Sequence, residues 1–109
     1  MDKLDDIFNK QRTLQGRLKS DLFSQQFRNT MTMAAMVELS EFIMWTPWKP
    51  WKKNQPYGPK EIKEAKLELV DVMHFLTNLA LSMGMTSQEF HSLFIEKNKE
   101  NHYRQDKGY

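Results

Sequence analysis

Four stretches of the chain carry apolar residues at helical spacing. Leu4, Ile7, Phe8, Leu14 and Leu18, with Gln11 among them, recur at intervals of three and four, which predicts a helix over 3–19 with Gly16 as its weak point. Phe27, Met31, Ala34, Val37, Phe42 and Trp45 give a second apolar face from about Ser24 to Trp45, and Glu38 and Glu41 lie on one side of it. The stretch "TPWKPWKKNQPYGP", 46–59, then breaks the pattern, because prolines forbid a continuous helix. Pro59 stands where a third helix can begin, and Gly84 just past where it must end. Thr86 and Glu89 have capping-box spacing, so a fourth helix should start near Ser87 and run to about Tyr103. No segment sustains a two-residue alternation. The pattern therefore predicts an all-α bundle of about four helices, one domain over 1–109.

The third helix is the informative one. Ile62, Ala65, Leu69, Val72, Leu76 and Met83 cover one face, and Leu67, Val70, Thr77 and Leu81 cover much of the opposite one. Glu64, Glu68, Asp71 and Asn78 run as a stripe between them. A helix apolar nearly all round is expected to be buried, so Glu68 and Asp71 should project into an interior or a cleft. Acids in such a place cost free energy unless something compensates them.

Glu68 and Asp71 are three apart and share a helix face; the second helix repeats the device as Glu38 and Glu41 in "VELSE". Packed side by side, the two helices would gather four carboxylates that repel strongly at low dielectric. Either several hold protons or cations neutralise them. A hard divalent ion with oxygen ligands is the simplest compensation, and the set suits Mg²⁺ or Mn²⁺ better than zinc. The plainer alternative is a pair of solvated helix faces whose acids pair with neighbouring lysines such as Lys60, Lys63 and Lys66. His74, one turn beyond Asp71, is either a hydrogen-bonded core residue or a group that orients a ligand carboxylate from behind.

Composition narrows the classes. There is no cysteine, which excludes disulfides, thiolate zinc and cysteine nucleophiles. The 16 basic and 14 acidic residues nearly balance at a net charge of +2, so composition gives no reason to expect nucleic acid as a partner. No apolar run is long enough to span a membrane, and the N-terminal "MDKLDDIFNK" is too polar for a signal peptide, so a soluble cytoplasmic protein is expected.

Two basic segments remain. In "MWTPWKPWKK", Trp45, Trp48 and Trp51 alternate with Lys49, Lys52 and Lys53, a composition suited to stacking a base and neutralising phosphate. The alternative is a loop whose indoles plug the core and whose lysines are solvated. Near the C-terminus, Lys97, Asn101 and Arg104 share one helix face and could form a phosphate-binding stripe, or belong to a solvated helix end in which Glu96, Glu100 and Asp106 are interspersed.

Taken in order, these motifs resemble the all-α nucleoside triphosphate pyrophosphatases, which include MazG-type enzymes and dimeric dUTPases. E-x-x-E followed by E-x-x-D appears as Glu38/Glu41 and Glu68/Asp71. The dimeric dUTPase branch, with its compact phage and bacterial members, is matched by Lys49-Pro50-Trp51 after the first acidic pair and by Asp71, His74 and Phe75 on the later helix. It is matched again by Lys97, Asn98, Asn101, Arg104, Gln105, Gly108 and Tyr109 near the C-terminus, and by Gln11 and Leu14 near the start. The resemblance implies a Mg²⁺-dependent hydrolase (Mn²⁺ also suits it) that converts dUTP to dUMP and pyrophosphate, with dCTP or another nucleotide as the alternative substrate. It implies that Glu38, Glu41, Glu68 and Asp71 bind the metal, with Glu41 by position a general base. Lys49, Lys52, Lys97 and Arg104 would meet phosphates; Gln11, Asn78 and Asn101 would read a base edge or sugar; Trp48 and Phe75 would stack on the base; and His74 would line the site. A homodimer or homotetramer, in a bacterial or phage-infected cell, is implied too. Two rivals stay open: a di-iron carboxylate bundle, short of histidine ligands here, and a non-enzymatic helical adaptor or nucleic-acid-binding module that uses the basic segments.

Overall fold

The computed structural model describes residues 2–108, so Tyr109 of the C-terminal motif lies outside the described residues. Four helices follow in order: α1, Lys3–Arg17; α2, Gln25–Met44; α3, Pro59–Ser82; and α4, Ser87–Asp106. No strand occurs among the described residues. Each helix starts where local chemistry allows. Asp2 accepts from the Asp5 N–H at 2.8 Å, Ser24 from the Phe27 N–H at 3.0 Å and Thr86 from the Glu89 N–H at 3.1 Å. Pro59 opens α3 behind Gly58, whose N–H donates to Glu61 Oε1 at 2.8 Å.

The ends differ a little from the pattern's expectation. α1 stops at Arg17 rather than 19, because Lys19 adopts a left-handed φ of 56° that no helix continues through. Gly84, at φ +74°, terminates α3 as expected. α4 runs to Asp106, a turn past Tyr103.

α2 and α3 form an antiparallel hairpin, and α1 packs on α3. The core sits at the C-terminal end of α3, where Phe8, Ala80 and Leu81 are buried and Leu4, Leu22, Met85 and Phe90 pack around them. α4 leaves this end on contacts to α1. Asp5 accepts from Ser87 Oγ and, at 3.0 Å, from Gln88 Nε2, and the Phe8 and Phe90 rings lie 5.9 Å apart. From His91 to Gly108 every described side chain is exposed except the half-buried Glu100. The molecule is accordingly extended, 46 × 44 × 29 Å with a radius of gyration of 17.2 Å. A compact domain of this length has about 13 Å. The all-round apolar α3 should be buried, yet Leu67, Leu69, Val70 and Leu76 are exposed. The physical reason is that α2 and α1 cover most of it, while α4 reaches only its C-terminal end through Phe90 and does not fold back.

Candidate functional site

The register of the α2–α3 hairpin builds the acidic site. Asn78 Nδ2 donates to Met31 Sδ at 3.4 Å, and Arg28 Nη1 donates to the Ser82 carbonyl at 3.3 Å. Two turns along each helix from Met31 and Asn78 stand Glu38 and Asp71, and one turn further stand Glu41 and Glu68. Carboxylate oxygens of Glu38, Glu41 and Glu68 all lie within 4.8 Å of one another. Asp71 is outside that close triad but near enough for its charge to act on Glu38.

The triad is half sequestered. Glu38 and Glu68 are half-buried and Glu41 is exposed. Glu38 Oε2 and Glu68 Oε2 are buried with no hydrogen-bond partner. The Glu38 carboxyl is pushed up to about 7, first because the Glu68 carboxyl sits in hydrogen-bonding reach, then by desolvation and by the charges of Glu41, Glu68 and Asp71. No cationic side chain is among the groups that act on it. Such a cluster takes either a shared proton or a cation. Oxygen-only donors with two orphaned buried oxygens fit a hard divalent ion.

Beside the triad, Glu41, Met44, Trp45 and Glu68 line an open cleft of about 420 Å³. The sequence offers Trp45, Trp48 and Trp51 together as a stacking set, with Trp48 as the residue that would stack on the base, and does not point to Met44. The position of Trp45, one turn after Glu41, was the available signal. Trp48 and Trp51 instead pack edge to face at 5.5 Å on the following loop, with Lys49 Nζ 6.0 Å from the Trp48 ring. Gln55 clamps that loop. Its Oε1 accepts from the Lys49 N–H at 3.1 Å, and its Nε2 donates to the Lys49 and Lys52 carbonyls at 2.7 and 2.9 Å. Lys49 is half-buried and Lys52 exposed.

The remaining predicted residues fall into two groups. Gln11 and Asn78 are buried and bond each other, Nε2 to Oδ1 at 2.7 Å, with Gln11 also reaching the His74 carbonyl at 3.5 Å. The His74 side chain is exposed and Phe75 is half-buried below Asp71. Lys97 and Arg104 both pair with Glu100 on α4, at 3.1 and 2.7 Å, and with Asn101 they are exposed. The structure of a single chain does not bring these three to the acids, because α4 diverges after its first turn.

The sequence model of the family described as dUTPase matches residues 3–93. The chain belongs to the dUTPase family. The match takes in both acidic pairs, the tryptophan–lysine loop and the start of α4. Among relatives of this dUTPase-family chain, a dCTP pyrophosphatase of Enterobacteria phage T4 is 44% identical over 52 residues, 48% of this chain and 30% of that protein. A dCTP pyrophosphatase of Enterobacteria phage LZ5 is 42% identical over 55 residues, 50% of this chain and 32% of that protein. A DNA replication protein of phage T4 is 40% identical over 42 residues, 38% of this chain and 11% of that protein. The chain thus spans about a third of the length of the two pyrophosphatases it matches. No solved structure matches it. No helix among the described residues is long and apolar enough to cross a membrane.

Proposed function

We propose that this member of the dUTPase family is a Mg²⁺-dependent nucleoside triphosphate pyrophosphohydrolase that releases pyrophosphate from a pyrimidine deoxynucleotide, dUTP first and dCTP second. The observation that carries the reading is the triad of Glu38, Glu41 and Glu68, whose oxygens lie within 4.8 Å of one another, with no cation among the groups that act on Glu38. The family match and the two phage relatives named dCTP pyrophosphatases support the reaction class.

Glu38, Glu41 and Glu68 would hold the ion, with Asp71 adding negative charge at the edge of the set. Bound there, Mg²⁺ would polarise phosphate and acidify water. Glu41, the exposed carboxylate on the cleft wall, accepts the proton of the attacking water. Trp45 gives the cleft an apolar wall against which a base can lie. Lys49 stands on the Gln55-clamped loop as a cation for the phosphate chain, with Lys97 and Arg104 as the further cations. The buried Gln11–Asn78 amide pair lies on the layer two turns from Asp71, where its remaining polar atoms can read a pyrimidine edge.

Pyrophosphate release from dUTP, dCTP, dTTP, dATP, dGTP and UTP, with and without Mg²⁺, tests the proposal. The expected result is a Mg²⁺-dependent kcat/KM highest for dUTP or dCTP. A purine at the top would remove the pyrimidine assignment, and no release from any nucleotide would remove the activity.

A further inference from the structure

Between Glu41 and Glu61 the chain carries no acidic residue, and its lysines are Lys49, Lys52, Lys53 and Lys60. Two of them stand at the ends of one turn. The Lys52 N–H donates to the Lys49 carbonyl at 3.2 Å, which closes a β-turn over Pro50 and Trp51. Pro50 at the second position presets the bend and keeps Lys49, just before it, extended. A β-turn brings the Cα atoms of its first and last residues within about 7 Å, so Lys49 and Lys52 leave the backbone as neighbours.

Gln55 ties both ends of that turn. Its Oε1 accepts from the Lys49 N–H at 3.1 Å, and its Nε2 donates to the Lys49 and Lys52 carbonyls at 2.7 and 2.9 Å. The amide oxygen and both amide hydrogens are thereby used on the backbone of the two lysines. The path from the acidic cleft to the turn is tied as well. Trp45 lines the cleft, and after it the Thr46 N–H donates to the Ile43 carbonyl at 2.9 Å and the Trp48 N–H to the Thr46 carbonyl at 2.8 Å. The side chains of the two lysines are left uncommitted to any acid: among the described residues no carboxylate pairs with Lys49 or Lys52. A lysine is a compact charge on a flexible stem, and ordering it at an anion costs side-chain entropy. Two stems already fixed at their roots leave less to order when an anion of repeated charge binds across them.

We infer that Gln55 is a positioning residue for phosphate: by pinning the Lys49–Lys52 turn at both ends, it holds the two ammonium groups as one receptor for a polyphosphate chain. The inference deepens the proposed function and rests on that reading for the phosphate role of Lys49. Gln55 itself touches no substrate; it acts through the two lysines.

Calorimetric titration with inorganic tripolyphosphate in excess Mg²⁺ tests it without any turnover. Gln55→Met keeps the side-chain volume and removes all three hydrogen bonds. It should weaken tripolyphosphate binding about tenfold while the urea midpoint stays in place. A tie that only ordered the loop would leave that affinity unchanged. Lys49→Ala with Lys52→Ala should weaken binding at least as much. Adding Gln55→Met to that pair should cost nothing further, because the groups it positions are already gone. Equal affinity in the wild type and Gln55→Met would overturn the inference. So would a full tenfold loss from Gln55→Met in the chain that lacks both lysines, or a wild type that does not bind tripolyphosphate. A wild type that binds as expected and hydrolyses no nucleotide would sink the proposed activity alone and leave the positioning role of Gln55 supported.

Discussion

Glu38 and Glu68 meet across the seam between α2 and α3 with an oxygen of each buried and no donor supplied to either unless Glu38 carries a proton. The contact makes the metal-free fold sensitive to pH. Glu38 titrates in the folded chain at about 7, above the ordinary carboxyl value of 4.5, so the folded state holds the proton more tightly. The stability it contributes is fully present below about pH 4.5 and is lost as pH rises through about 7. In EDTA, Tm should therefore fall from pH 4.5 to pH 7.5. Glu38→Gln should flatten that slope, and a slope unchanged in the variant would locate the titration elsewhere.

The same competition sets the metal's pH dependence in the opposite direction. Below about pH 7 an incoming cation must displace the Glu38 proton, so Mg²⁺ or Mn²⁺ affinity should rise with pH and level off above 7. Isothermal titration with Mn²⁺ in buffers of differing ionisation enthalpy should show a proton released at pH 6 and little at pH 8. Equal proton release at both would contradict it.

The amide variants should separate the triad from its neighbour. Glu38→Gln, Glu41→Gln and Glu68→Gln each remove a carboxylate from the cluster and should lower kcat about a hundredfold or more while preserving helix content. Asp71 stands outside the close triad, so Asp71→Asn should cost less than any of the three. A larger loss for Asp71→Asn would mean that Asp71 matters more to the site than the close triad does.

Periodicity and turn chemistry carried the fold, because helix starts depend on neighbours in sequence: Asp2, Ser24, Thr86 and Pro59 all act within one turn. Spacing also placed Glu38, Glu41 and Glu68 together, since two E-x-x-[ED] faces on an antiparallel hairpin can hardly avoid each other. The course of α4 was not legible. It depends on Asp5 meeting Ser87 and Gln88, a contact between residues far apart in sequence that no local pattern announces. Nor was it legible that Gln11 and Asn78 would satisfy one another, because an amide in an apolar stripe looks the same whether its partner is a ligand or another amide.

That amide pair should behave first as structure. Gln11→Ala would strand the buried Asn78 carbonyl oxygen without its 2.7 Å donor, at a cost of about 1–3 kcal/mol. Urea denaturation of Gln11→Ala, Asn78→Ala and the double variant should show that the second substitution costs less once the first is made. Strictly additive losses would show that the two amides do not depend on each other.

Gln55 should matter for order in the tryptophan–lysine loop more than for the fold. It supplies three hydrogen bonds to the loop backbone at Lys49 and Lys52 and little else. Gln55→Ala should leave the helical melting transition nearly in place while trypsin nicks the chain faster after Lys52 and Lys53. Unchanged nicking would mean that the Trp48–Trp51 contact holds the loop by itself.

Trp45 is the tryptophan that shares a cleft wall with Glu41 and Glu68, whereas Trp51 is 71% exposed on the loop beyond. Indole fluorescence can tell them apart. Binding of Mg²⁺ with a non-hydrolysable pyrimidine triphosphate should change the emission of the wild type, Trp48→Phe and Trp51→Phe, and should change that of Trp45→Phe far less. An aromatic wall contributes about 0.5–1.5 kcal/mol beyond its area, so Trp45→Ala should raise KM up to about tenfold. Trp48→Ala should raise it less, because that ring spends its face on Lys49 and Trp51. A larger KM effect at Trp48 than at Trp45 would show that the loop closes over the nucleotide and that the open cleft is not where the base lies.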